Sequence, residues 1–315
     1  MPRGRVWLLA ALCLACPRAW AQETAPAQPP QDEQPAPRSI PELIDALAAD
    51  DFSGMAASRE LTERGTAAVP ALIANLKNET PRARYWSIAA LSGIGDDRAV
   101  PAILALLDDP DAMVRAVAVW HVSRWYDRPE VRTAVLARLD DRSSFVQGYV
   151  LKVIQTRQDA KAAPQVRAML ASPVPEVRYD ALHTLALMLG RDSLPAVRAA
   201  LTEDKSPLVR RCALQCCTVI EPRRPDCAEL LILGLRDQDQ EVRETAVRLL
   251  RRGFGQYFGF DPAAEPMDRE PAVRQWRSWY DENAARLRWN AQSRGFEAPG
   301  ERAEDGTARA GPDAG

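Results

Sequence analysis

Histidine is almost missing from this chain: His121 and His183 are the only two in 315 residues. They stand two repeats apart in the pattern described below, so they do not make a metal site. No G-x-x-x-x-G-K-[ST], G-x-S-x-G, H-E-x-x-H or C-x-x-C-H pattern occurs, which removes the usual phosphate, acyl-transfer, zinc and haem signatures. The run Asp237-Gln238-Asp239-Gln240-Glu241 imitates the start of a calcium loop, but Val242 stands where that loop needs glycine. No catalytic constellation, metal or cofactor is expected. A basic excess is lacking too: the formal charge is -2. Nucleic-acid binding normally shows the opposite bias. With 46% hydrophobic and 27% charged residues, the composition is that of a globular protein and excludes collagen, coiled coil and wholesale disorder.

Long apolar runs are also missing. The longest, residues 6–15, follows Arg3 and Arg5 and precedes Ala19-Trp20-Ala21. Ten helical residues rise about 15 Å, half a bilayer core, so residues 1–21 read as an export signal and not as a membrane span. A lipid anchor on Cys16 is a weaker alternative, because Cys13-Leu14-Ala15 puts cysteine where a bulky aliphatic residue is usual. Residues 22–38 carry five prolines among Gln, Glu and Ala and are expected to be a disordered linker. Residues 294–315 are expected to be a disordered tail.

What is present is a repeat. Ala83-Arg84, Val114-Arg115, Val146-Gln147, Val177-Arg178, Val209-Arg210 and Val242-Arg243 recur at intervals of 31 to 33 residues. Five residues ahead of each pair's first member stand Asn78, Asp109, Asp141, Ser172, Asp204 and Asp237. A further column, Pro70, Pro101, Pro164 and Pro195, precedes Leu76, Leu107, Leu170 and Leu201 by six residues each. Within a unit the second segment is apolar at helical spacing, as in Val177, Ala181 and Leu185. The first segment starts on a proline, which is pre-set for the first helical turn. Two short antiparallel helices per unit cannot hide their own apolar faces, so units must stack.

These residues resemble the short HEAT-like repeats of the type also found in phycobilisome lyases. The likeness covers residues 39–255 and implies an all-α solenoid of about seven helix pairs. Ile40 to Gly65 is read as a degenerate first unit, because Gly54 takes the arginine column. The resemblance implies that the Asp and Arg columns bond across successive units. Taken as exposed pairs, they would contribute only about 0–1 kcal/mol each. Residues 256–293 are read as a helical cap, with a turn at Phe258-Gly259-Phe260-Asp261-Pro262 and a helix from about Glu270 carrying Val273, Trp276, Tyr280 and Leu287. That segment resembles the end of exported bacterial HEAT-like proteins.

Cys212, Cys216, Cys217 and Cys227 cluster in one unit and its junction with the next. A Cys217–Cys227 disulfide, buried free thiols, and a metal or redox site are the readings left open. In HEAT-like stacks the second helices line the concave side. This makes Tyr85, Trp86, Trp120, His121, Arg124, Trp125, Tyr149, Lys152, Tyr179, His183 and Arg211 the candidate binding face, as aromatics among bases suit a protein or peptide partner. The functional expectation is an exported, periplasmic or extracellular, non-enzymatic scaffold. The alternatives are a chromophore-lyase-like enzyme and, less favoured, a nucleic-acid-binding HEAT-like protein.

Overall fold

The computed structural model describes residues 37–220, 226–290 and 295–297. The expected signal, most of the linker and the tail beyond 297 lie outside the described residues. Among the described residues seven helix pairs follow one another: α1 (Ile40–Ala46) with α2 (Asp51–Glu63), α3 (Val69–Asn75) with α4 (Pro81–Ile94), α5 (Val100–Ala105) with α6 (Ala112–Val122), and α7 (Pro129–Ala137) with α8 (Ser144–Arg157). Then come α9 (Ala163–Ala168) with α10 (Pro175–Leu189), α11 (Leu194–Glu203) with α12 (Pro207–Cys216), and α13 (Asp226–Gly234) with α14 (Gln240–Phe254). The second helices α2, α4, α6, α8, α10, α12 and α14 each pack on the next, and the first helices meet more sparsely. This is an α-solenoid, as the period requires.

Local chemistry accounts for the helix ends. Proline occupies the first turn of α3, α4, α5, α7, α9, α10, α11 and α12, where a missing N–H costs nothing. Asp111 and Asp239 cap α6 and α14 by accepting backbone N–H groups of the first turn. Gly95 and Gly255 end α4 and α14 in the left-handed region, at φ 75° and 65°.

The apolar stripe sits where the spacing puts it: Val114, Ala118, Val122, Val146, Val150, Ile154, Val177, Ala181 and Leu185 are all at most 1% exposed. Helix α10 joins two core clusters. Its Ala181 and Leu185 belong to the N-terminal one, and its Leu182 and Ala186 to the C-terminal one.

Each column residue of the inter-helix turn accepts the backbone N–H two residues on, from Thr80, Asp111, Ser143, Val174, Ser206 or Asp239, at 2.8 to 3.2 Å. The arginine of the same unit locks that turn from the other side. Arg115, for example, donates through Nη1 to the carbonyls of Asp109 and Pro110. Its Nε and Nη2 then reach both carboxylate oxygens of Asp141 in the next unit, at 2.9 and 2.8 Å. Arg84–Asp109, Arg178–Asp204 and Arg210–Asp237 repeat this. These pairs are not exposed: side-chain exposure is 4% on both sides of Arg115–Asp141 and at most 14% in the others. Their energetics are therefore those of buried ion pairs, not of the surface pairs that the sequence suggested.

The first unit departs from the column for a visible reason. A Cβ on Gly54 would lie 2.4 Å from the Trp86 indole, which fills the space. The C-terminal helix, α15 (Pro266–Asn283), starts four residues earlier than the expected Glu270 because Pro266 opens its first turn. Ala272, Val273, Trp276 and Tyr280 bury its inner face. Beyond it, β1 (Arg288–Asn290) and β2 (Gly295–Glu297) pair antiparallel with Trp289 opposite Phe296, so residues 295–297 are a strand where a structureless tail was expected.

Candidate functional site

The expected binding residues do not form one surface. Tyr85 and Trp86 on α4 meet at 4.6 Å, tilted by 37°, and face α2, where the Tyr85 hydroxyl donates to Asp51. Trp125 lies in the 3-10 turn after α6. There a turn of three residues rotates it inward, 8% exposed, with its indole N–H donating to Asp97 at 2.8 Å. Arg124, in the same turn, is exposed and lies against Gly95. His121 is desolvated, which pushes its pKa down to about 4 and leaves it neutral at physiological pH.

Two groups of residues do come together on neighbouring second helices. On α6 and α8, Trp120 meets Tyr149 edge-on at 6.5 Å, and Phe145, which the sequence reading passed over, meets Tyr149 at 5.1 Å. Trp120 and Phe145 are each 39% exposed, and Met113, also on α6, is 49% exposed. On α8, α10 and α12 lie Lys152, Tyr179, Asp180, His183, Arg211 and Cys212. The Tyr179 ring stacks on His183 at 6.4 Å and 20°, and its hydroxyl donates to Gln215 at 3.2 Å. Arg211 donates to Glu241 of the next unit.

Asp180 is the group that sequence reading missed. It points at α8, where glycine at 148 leaves room: a Cβ there would lie 3.3 Å from Asp180 Oδ2. Every Asp of the ladder holds an arginine, but no hydrogen bond or ion pair reaches Asp180 among the described residues. Burial raises its pKa to about 6, Lys152 opposes this, and Glu176 adds to it. Burial, and then the Lys152 cation, lower His183. Two groups of opposite type thus have pKa values pulled toward each other on one face, three residues apart on a helix. Both shifts have the same leading cause, burial that disfavours the charged form. A glycine in a helix, one turn from an aromatic and opposite an unpaired acid, is the only signal that the sequence holds for it.

The four cysteines are buried thiols, and no Cys217–Cys227 bridge is formed. Cys212 and Cys216 lie 3.9 Å apart, and Cys217 donates to the Ala213 carbonyl at 3.6 Å. Contact with Cys216 and burial raise Cys212; contact with Cys227 and burial raise Cys217; both stay thiols at neutral pH. Among the described residues no group of three or more His, Cys, Asp or Glu could hold a metal ion, and no helix is long and apolar enough to cross a membrane.

A family model described as HEAT repeats matches residues 40–123 and 132–218. A phycocyanobilin lyase subunit beta from Pseudanabaena tenuis is 39% identical over 92 residues, covering 26% of this chain and 33% of its own length. A phycobilisome maturation protein from Synechococcus elongatus is 34% identical over 96 residues, covering 29% of this chain and 46% of its own. The chain thus spans less than half the length of either relative. Among solved structures, the complex of CpcE and CpcF of phycocyanin lyase from Nostoc is 24% identical, with a TM-score of 0.41, over 46% of this chain and 96% of that one. These relatives overturn the expectation of an exported, non-enzymatic scaffold. They are named for a lyase and for phycobilisome maturation. With more than half of its length matched by the repeat model and seven stacked helix pairs in its fold, the chain belongs to the HEAT-repeat family.

Proposed function

We propose that this chain works in chromophore attachment, as a lyase-type HEAT protein that takes a bilin on the face of its second helices and acts with a protein partner. The observation that carries this reading is the pair of relatives, 39% and 34% identical over 92 and 96 residues, both named for phycobilisome chromophore or assembly work. The chemistry of the face supports it. A bilin is a flat conjugated molecule with two propionate carboxylates. Trp120, Phe145 and Tyr149 offer exposed ring faces and edges for such a molecule to stack on. Lys152, exposed on α8, offers a cation to a propionate.

A lyase adds a group across a double bond or eliminates it, so a proton has to move to or from the chromophore as the other bond forms or breaks. Asp180 and His183 are the groups on this face suited to that task, because neither is locked in an ion pair and burial raises Asp180 while it lowers His183. The closely packed layer of second helices supports placing the bilin there and not on the first helices.

The test is a titration of the full chain with phycocyanobilin, followed by visible absorbance and induced circular dichroism. A saturable spectral change is expected, weakened by Tyr149→Ala. Addition of an apo-phycobiliprotein subunit should then give a bilin adduct that survives denaturation, formed more slowly by Asp180→Asn. A spectrum identical to that of free bilin at every ratio would remove the proposal.

A further inference from the structure

The arginine–aspartate ladder has an uneven end. Where a unit supplies an arginine, the next supplies an aspartate: Arg84 has Asp109, Arg115 has Asp141, Arg178 has Asp204 and Arg210 has Asp237. Where Gly54 or Gln147 stands in the arginine column, the next turn carries Asn78 or Ser172, which keep the turn's hydrogen bond but bring no charge. Arg243 alone breaks the correspondence. Its Nη1 donates to the carbonyls of Asp237 and Gln238 at 2.9 Å, as its predecessors do within their own turns. The next turn's Asp261 accepts the backbone N–H of Ala263 at 2.9 Å, as the ladder aspartates do in theirs, but no ion pair joins it to Arg243, whose Nε turns instead to the carbonyl of Pro262 at 2.8 Å.

Into this place α15 brings a second guanidinium. Arg269 is 9% exposed, and its Nε and Nη1 are buried without a hydrogen-bond partner. Burial, and then the nearby Arg243 cation, push its pKa down; Glu265, at the start of α15, is the acid that acts against them, without forming an ion pair. Arg269 is thus a buried cation with two open donors beside a second cation, and among the described residues no ion pair to a carboxylate is formed by either, an arrangement that is costly to fold around unless an anion is admitted.

We propose that Arg269, with Arg243 beside it, forms a binding site for a carboxylate, which takes the open Nε and Nη1 donors of Arg269. The planar guanidinium fork matches a carboxylate bidentately, and the four interior pairs show this chain using that match. The carboxylate comes either from this chain's own residues beyond 297, which include Glu301, Glu304, Asp305 and Asp313, or from another molecule. The site is independent of the chromophore reading.

The experiment measures the thermal midpoint of the full chain as acetate replaces chloride at constant ionic strength. A parallel full-length variant carries Glu301→Gln, Glu304→Gln, Asp305→Asn and Asp313→Asn. Acetate should raise the midpoint by a few degrees through binding linkage. A response in both chains means that the carboxylate is supplied from outside. A response only in the variant means that the chain's own acids fill the site. In either case Arg269→Met, made in the responsive background, should fold and lose the acetate increment, and Arg243→Gln should reduce it. The proposal is overturned if neither chain responds to acetate, or if both arginine variants respond as fully as their parent.

Discussion

Asp141→Ala isolates what one rung of the ladder contributes. The carboxylate accepts Nε and Nη2 of Arg115 and also the backbone N–H of Ser143, at 2.8 to 2.9 Å, with both side chains 4% exposed. Removing it leaves a buried guanidinium with two donors unpaired, and breaking a buried ion pair from one side costs about 3–5 kcal/mol. Loss of the turn's hydrogen bond adds about 1 kcal/mol. The control is Asp51→Ala, whose partner Arg82 and own side chain are 41% and 75% exposed, for which about 0–1 kcal/mol is expected. A second control, Arg115→Met with Asp141→Leu, removes both charges and should recover much of the loss. Urea unfolding followed by far-ultraviolet circular dichroism and tryptophan fluorescence reads all of these. The dependence on pH follows from the folded state. Burial pulls the Asp141 carboxyl up, but the Arg115 guanidinium and the Ser143 N–H outweigh it and hold the group below its ordinary value. The rung's stabilisation is therefore present above the ordinary carboxylate pKa of about 3.9 and is lost as pH falls through the lower folded value. If Asp141→Ala were no more destabilising than Asp51→Ala, or the double variant no better than the single one, the burial argument would fail.

Leu185→Ala, at a site 0% exposed in the N-terminal core cluster, should cost about 2–5 kcal/mol in the same unfolding assay. A loss no larger than that of the exposed Asp51→Ala would contradict the assigned stripe. For Asp180 the sign is opposite to that of Asp141. Burial raises it to about 6, so the stabilising protonated form is complete below the ordinary pKa and is lost as pH rises through about 6. Wild type should therefore lose stability relative to Asp180→Asn between about pH 4 and 6, and parallel curves for the two chains over that range would show that Asp180 is not buried as described.

The period, the helix pairs and the turn chemistry were legible in the amino-acid sequence because each rests on residues close together in the chain. Helical spacing such as Val177, Ala181 and Leu185 needs no knowledge of the neighbouring unit, and a proline or an aspartate at a helix start acts within one turn. The pairing of Asp with a preceding Arg came from the resemblance to HEAT-like repeats. The burial of those pairs was not legible, because it depends on how closely two turns stack. The same limit governed the candidate site. Trp120, Phe145 and Tyr149 meet only because α6 and α8 lie side by side, and Trp125 leaves that face because a tighter turn rotates it toward Asp97. Asp180 carries no mark of its own in the sequence; only the packing of α10 on α8 half-buries it against Gly148. Sequence determined which segments are helices and that they must stack, whereas the spacing between stacked helices decided which side chains share an environment and therefore which of them carry chemistry.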